Sequence, residues 1–232
     1  MNNLEVIILC GGKGQRLRSI TENIPKPMVE IKEKPILSYI LDYLSNNGIK
    51  NFHIASGYKS EIVHSYLNEN YKNLNINIVD SGDVDIIQRI KDCGKNIGGD
   101  FLVLYGDTIS DVDIKELIKS HTKGKMLATM TVWPMRSQFG LVNFDSDGKV
   151  TSFLEKPVLD KFMNIGYFYF DKRIIEIMQD FNDWELFLNY MVEAEILNAF
   201  KHEGLHITVN TIEELSLAEK NIENISIGAN NE

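Results

Sequence analysis

A short apolar run, Val6-Ile7-Ile8-Leu9, opens directly into Cys10-Gly11-Gly12-Lys13-Gly14-Gln15-Arg16-Leu17, and Pro25-Lys26-Pro27-Met28 follows within the first 28 residues. A strand that ends in a glycine-rich turn brings backbone N–H groups close to a ligand with no Cβ in the way. Successive N–H groups in such a turn cradle anions, and the positive end of a following helix adds to the attraction. Lys13, Arg16 and Lys26 bring positive charge to the same stretch. Arg suits bidentate phosphate contact and Lys acts as a point charge. Pro25 and Pro27 fix φ on both sides of Lys26 and hold it on a stiff segment. The spacing Gly-Gly-x-Gly is neither the dinucleotide fingerprint nor a Walker loop, which would need a Lys-Ser/Thr pair. A nucleoside triphosphate held for attack is the simplest chemistry that uses all these groups.

Along residues 1–125, short apolar runs alternate with helical spacing. Strands are expected at Val6–Leu9, Phe52–Ala55, Leu74–Val79 and Phe101–Tyr105. Helices are expected at 36–47, 60–68, 86–91 and 113–121, with Gly48 as a stop signal. This rhythm predicts a largely parallel sheet with helices on both faces. After residue 125 the pattern turns to strands at 127–133, 141–144, 150–154 and 167–170, with Asp147-Gly148 as a hairpin turn. Helices at 174–179 and 184–200, a strand at 205–209 and a helix at 212–221 complete the expectation, and the tail beyond Asn224 is expected to fray. There is no internal repeat or Pro- or Ser-rich linker, so one domain over 1–232 is expected, with a nucleotide half (1–125) and an acceptor half (126–232).

The formal net charge of −9 argues against nonspecific nucleic-acid binding or an acidic membrane surface. Cys10 and Cys93 do not make a disulfide framework. The N-terminus lacks a basic start followed by a long apolar run, and no 18-residue apolar stretch occurs, so a cytoplasmic protein is expected.

Asp107 follows an apolar strand and Gly106 at the carboxyl edge of the sheet, where ligands of open α/β sheets sit. A carboxylate there can hold Mg²⁺, which takes one or two carboxylates with phosphate oxygens and water. Asp111 and Asp113 are expected to be a cap and a first-turn acid of the next helix. Glu155-Lys156-Pro157 presents Lys156 on a stiff turn, and Arg136 lies in the loop 134–140; both are candidates for a second phosphate. The five histidines lack metal-ligand spacing, so zinc is not expected.

Together these motifs resemble the sugar-1-phosphate nucleotidylyltransferase superfamily over nearly the whole chain. Gly11-Gly12-Lys13-Gly14-Gln15-Arg16-Leu17 is similar to its GGxGTRL loop, and Pro25-Lys26-Pro27-Met28, Lys34-Pro35-Ile36-Leu37, Gly106-Asp107 and Glu155-Lys156-Pro157 are similar to its later signatures. Gly57-Tyr58-Lys59, Val79-Asp80-Ser81-Gly82-Asp83, Tyr105-Gly106-Asp107 and Phe139-Gly140 look most like the glucose-1-phosphate cytidylyltransferases. The resemblance implies an α/β fold, Rossmann-like, in three α/β/α layers, with a mostly parallel central sheet and a small mixed β acceptor subregion. It implies CTP as nucleotide, Mg²⁺ as cofactor and transfer of CMP to a phosphorylated small molecule with pyrophosphate release. Arg16, Lys26 and Asp107 would be catalytic. Leu9, Gly11, Gly12, Lys13, Gly14, Ser81, Gly82, Gln88 and Gly106 would bind the nucleotide. Arg136, Gly140, Glu155, Lys156 and Asn164 would bind the acceptor, and Asp107 with Asn210 would hold the metal.

The departures from the pattern fall mainly on the acceptor side. Gln15 stands for the family's threonine, Ile86-Ile87-Gln88-Arg89 for a Gly-Gly segment, and Asn210 for a metal-binding Asp. Ile165 in Asn164-Ile165-Gly166 is expected to crowd the space of a sugar. The chain is similar in this respect to the cytidylyltransferases that act on L-glutamine phosphate in capsular phosphoramidate biosynthesis, giving CDP-L-glutamine. Competing expectations are glucose 1-phosphate, a choline-type phosphate held by a cage of Tyr167, Tyr169, Trp133 and Trp184, or a non-catalytic nucleotide sensor. The sequence is silent on oligomeric state; the resemblance allows a homo-oligomer built through surfaces after residue 125.

Overall fold

The computed structural model describes residues 3–224, without the side chains of Arg16, Arg18, Ser19 and Asn224. The tail beyond Asn224 lies outside the described residues. The first part of the chain runs β1 (Glu5–Leu9), α1 (Arg18–Thr21), β2 (Glu30–Ile31), β3 (Lys34–Pro35), α2 (Ile36–Asn46), β4 (Asn51–Ser56), α3 (Ser60–Asn70) and β5 (Asn75–Asp80). It continues through α4 (Ile86–Gly94), β6 (Phe101–Tyr105), β7 (Thr108–Ser110), α5 (Ile114–Gly124), β8 (Ala128–Arg136), β9 (Leu141–Phe144) and β10 (Val150–Leu154). The last elements are β11 (Val158–Phe170), α6 (Ile174–Met178), α7 (Trp184–Glu193), β12 (Leu197–Lys201), β13 (His206–Thr208) and α8 (Ile212–Asn221).

Seven strands form the central sheet in the order β12-β8-β11-β6-β1-β4-β5. The pairs β6/β1, β1/β4, β4/β5 and β12/β8 are parallel, and β11 alone runs antiparallel to both its neighbours. Alternate side chains leave a strand on opposite faces, and the sheet uses this to feed two hydrophobic cores. Val6, Ile8, Leu102, Leu104, Tyr167 and Tyr169 pack on one face, beneath α2. Ile7, Phe101, Val103, Phe168 and Phe170 pack on the other, against α4, α6 and α7. The carboxyl ends of β1, β4, β5 and β6 therefore meet along one edge, and the loops that leave them form the site. The expected α/β fold with a mostly parallel sheet is what the chain adopts.

Four local expectations are corrected. The helix expected over 184–200 ends at Glu193; Glu195 takes positive φ and the chain enters β12, which pairs in parallel with β8. The strand expected at 167–170 is much longer, because β11 begins at Val158. Asp113 caps α5, accepting from the Lys115 and Glu116 amides, but Asp111 does not. It accepts from the Leu205 amide at 2.6 Å and lies 3.1 Å from His202 Nε2, tying β7 to the chain before β13. Ile165 is buried in the core, 2% exposed, and crowds no ligand space.

Candidate active site

The glycine loop leaves β1 between two neighbours that hold it. The Cys10 amide donates to the Ala55 carbonyl at 2.8 Å, and the Gly106 amide donates to the Leu9 carbonyl at 3.1 Å. The loop then turns at Gly14, whose φ of +59° suits a residue without Cβ. The Gly14 carbonyl accepts from the Thr21 hydroxyl and the Leu17 amide, both at 2.9 Å. Pro25 precedes a single helical turn over Lys26–Met28, which aims the Lys26 side chain back across the loop.

The result is a cavity of about 680 Å³ at the carboxyl edge of the sheet. Leu9, Gly11, Gly12, Lys13, Gly14 and Lys26 line it from the first 27 residues, and Asp107 and Asn210 line it from much later in the chain. Lys26 Nζ donates to Asp107 Oδ2 at 2.5 Å and to Asn210 Oδ1 at 2.9 Å. Its side chain is 11% exposed, so this ammonium is largely shielded from water. A carboxylate and an amide oxygen thus converge on one cationic point. Hard oxygens of this kind suit Mg²⁺ when phosphate oxygens and water fill the remaining positions, and the pair could hold such an ion beside Lys26. Among the described residues no cluster of three or more His, Cys, Asp or Glu side chains could hold a metal alone.

The opposite wall comes from the segment after β5. Lys13 Nζ reaches Asp83 Oδ2 at 2.5 Å across the mouth of the cavity, and this contact holds the Asp83 carboxyl below its usual range. Asp83, Val84, Asp85, Ile86 and Arg89 complete the wall. Arg89 is buried, and its burial lowers the guanidinium pKa against the pull of Asp83 and Asp80. Tyr105 closes the floor; its hydroxyl accepts from Trp184 Nε1 at 3.0 Å. Burial pushes the Cys10 thiol up, with Asp107 and Cys93 adding to the effect, so this residue presents a neutral thiol.

The remaining expected site residues are placed as follows. Arg16 sits in the short helical turn after the loop, but its side chain lies outside the described residues. Ser81, Gly82 and Gly106 belong to loops that border the cavity without lining it, and the Gln88 amide turns away to Asp92 at 3.1 Å. Asn164 does not line the cavity; its side-chain oxygen accepts from the Gly166 amide at 2.8 Å. Arg136, Gly140, Glu155 and Lys156 gather at the base of the β9–β10 hairpin, where the Ser137 amide donates to the Pro157 carbonyl at 2.9 Å; none of the four lines the cavity. The aromatic cage does not form. Tyr167 and Tyr169 are core residues on one face of the sheet, and Trp184 is a core residue on the other. Asp83, Tyr105 and Arg89 lie in segments that carry the resemblance or depart from it, but the sequence assigned them no site role; their place in the cavity wall follows from tertiary structure.

Residues 5–209 match the model of the Nucleotidyl transferase family. The chain belongs to that family. It is 32% identical over 237 residues to a glucose-1-phosphate cytidylyltransferase of Salmonella typhi, covering 90% of this chain and 92% of the relative. It is also 32% identical over 200 residues to a D-glycero-alpha-D-manno-heptose 1-phosphate guanylyltransferase of Campylobacter jejuni, covering 85% and 87% of the two chains. The crystal structure of HddC from Yersinia pseudotuberculosis superposes with a TM-score of 0.75 at 26% identity, covering 94% of this chain and 99% of that one. The protein is thus a nucleotidyltransferase of the sugar-phosphate nucleotidylyltransferase type. Among the described residues, no helix is long and apolar enough to cross a membrane.

Proposed function

We propose that the protein is a cytidylyltransferase that moves CMP from CTP to a phosphorylated small molecule, with L-glutamine phosphate as the acceptor. The observation that carries the transfer chemistry is Lys26 held between Asp107 and Asn210 at one end of the glycine-loop cavity. A phosphate oxygen of the acceptor attacks the α-phosphorus, the bond from that phosphorus to the bridging oxygen breaks, and pyrophosphate leaves. The chain supplies position and charge rather than a nucleophile. The Gly11–Gly14 backbone and Lys13 hold the triphosphate, with Arg16 next to them in sequence. Lys26 neutralises negative charge that builds at the α-phosphate. Asp107 and Asn210 hold Lys26 in place and would also hold Mg²⁺, which would polarise phosphate oxygens when bound.

Cytidylyl- and guanylyltransferase relatives are equally identical to this chain, so cytosine rests on the motif resemblance after β4, β5 and β6. Of the departures from the family pattern, Gln15, Ile86, Arg89 and Asn210 line the cavity and Ile165 does not. Arg136, Gly140, Glu155 and Lys156, clustered beside β9–β10, and Asn164, next to Tyr105, are the acceptor side of this reading. A second reading, glucose 1-phosphate as acceptor, is favoured by the curated cytidylyltransferase relative that spans 90% of this chain. In both readings residues 1–232 work as one unit. Exposed Phe139, Phe144 and Phe153 on and beside the hairpin favour self-association through that surface, which light scattering would test.

A pyrophosphate-release screen of the four ribonucleoside triphosphates against both acceptors with Mg²⁺ tests the proposal. Highest kcat/KM for CTP with L-glutamine phosphate supports it. Preference for glucose 1-phosphate replaces the acceptor, and preference for another triphosphate replaces the base.

A further inference from the structure

Arg89 is a buried cation that no ion pair among the described residues engages; its three hydrogen bonds all go to backbone carbonyls. Nη1 donates to Ser56 O at 2.5 Å, and Nη2 donates to Gly11 O at 3.2 Å and to Gly82 O at 2.7 Å. These carbonyls belong to three different segments of the sheet edge: the glycine loop after β1, the end of β4 and the turn after β5. Two glycines leave room for the group. A Cβ on Gly11 would lie 1.9 Å from Arg89 Nη1, and one on Gly57 would lie 2.5 Å from it. Burying a charge is costly; Asp83 and Asp80 act on this one only through space, and core filling at this position needs no cation. Cys10, at the start of the loop, is held to β4 by its 2.8 Å bond to the Ala55 carbonyl, but beyond it the other ties to the segments after β4 and β5 are weak: a 3.3 Å bond from the Tyr58 amide to the Gly11 carbonyl, and the exposed Lys13–Asp83 pair.

We propose that Arg89 is a positioning residue for nucleotidyl transfer, a strap that fixes the glycine loop against the segment after β5 so that the cavity is formed before the nucleotide enters. The planar guanidinium reaches three carbonyls at once, which a lysine ammonium does in a different geometry. Preformed cradles bind more tightly because ordering is not charged against binding. The inference rests on the reading that this cavity takes a nucleoside triphosphate.

Three variants test it: Arg89→Met, Arg89→Lys and Gly57→Ala. The last keeps the charge but drives a methyl into the guanidinium and the Gly82 carbonyl, which it would approach to 2.5 Å. Calorimetry with CTP, GTP, UTP and ATP in the presence of Mg²⁺ reads affinity. Hydrogen exchange reads the amides of 11–14 and 82–83 against those of β6. Loss of the three charge-assisted bonds predicts roughly tenfold or greater weakening of the tightest triphosphate in Arg89→Met. Exchange should quicken at 11–14 and 82–83 but not in β6, and KM for the acceptor that turns over should stay within about twofold. Gly57→Ala should shift affinity and exchange in the same direction, and Arg89→Lys should fall between Arg89→Met and the native chain. If Arg89→Met does not fold, the other two variants carry the test. Unchanged triphosphate affinity in the variants overturns the strap, as does equal loosening of β6 with equal rises in both KM values. A native protein that takes up none of the four triphosphates overturns the parent reading instead.

Discussion

Replacing Lys26 by Met keeps the length of the side chain and removes its charge. The ammonium contacts Asp107 at 2.5 Å and Asn210 at 2.9 Å, with side chains 11% (Lys26) and 31% (Asp107) exposed. Such a pair lies between two limits. Exposed pairs contribute up to about 1 kcal/mol, and breaking a fully buried pair costs about 3–5 kcal/mol. Asp107 keeps access to water once Lys26 is gone, so a cost of about 1–2 kcal/mol is expected. For a chain of this size that lowers Tm by roughly 2–8 °C and leaves a folded protein at 25 °C. Catalysis should suffer far more. Removing one preorganised donor from a charge-stabilising site costs about 10²–10³-fold in kcat. The assay is pyrophosphate release at saturating CTP and acceptor, with a thermal melt on the same sample. A drop in kcat of at least 10²-fold with a small loss of Tm is predicted. A rate within tenfold of the native chain would refute the assigned role, and an unfolded variant at 25 °C would refute the stability argument.

Lys13→Met removes an exposed pair with Asp83 and should change Tm by less than about 2 °C, while KM for the triphosphate rises severalfold in a steady-state assay. Gly166→Ala should be strongly destabilising. The residue has φ of +75°, and its Cβ would lie 2.3 Å from Tyr105, so a large drop in Tm with weaker triphosphate binding through Tyr105 is expected. His206 is predicted to give the protein an acid-sensitive arm. Burial, aided by His202 and opposed by Asp107, lowers its pKa to about 4, so between about pH 6.5 and 4 the unfolded chain binds the proton and the folded chain does not. Stability from this group is therefore complete above about pH 6.5 and lost as pH falls toward 4, by up to about 3 kcal/mol. Denaturant melts of His206→Gln should show a flatter profile in that window than the native chain.

The parallel half of the fold was legible because β1, β4 and β6 are largely apolar and β5 alternates apolar with polar residues, each set off by glycine or polar turns. The glycine loop and Asp107 were legible for the same reason, since they sit where such runs stop, and Lys26 because two prolines flank it. The chain after α7 was not. Ala194-Glu195 ends the helix with Glu195 in a left-handed conformation and no glycine or proline to announce it, so β12 reads as more helix. The first half of β11 carries Asp160 and Lys161 among its exposed residues and loses the apolar signature of its second half. Ile165 looks like an obstacle in the sequence because its direction depends on the register of β11 against β6 and β8. Arg89 reads as the polar residue of an amphipathic helix, yet α4 turns it inward beneath the loops. Its role follows from tertiary placement alone. Asp111 was misjudged on the same ground, since Leu205 and His202, distant in sequence, decide what it faces.

A crystal structure with Mg²⁺ and a non-hydrolysable CTP analogue tests the account most directly. The triphosphate is predicted within hydrogen-bonding distance of the Gly11–Gly14 amides, with its α-phosphate beside Lys26 and Asp107. A nucleotide seated elsewhere on the chain, or one whose phosphates point away from Lys26, would contradict it.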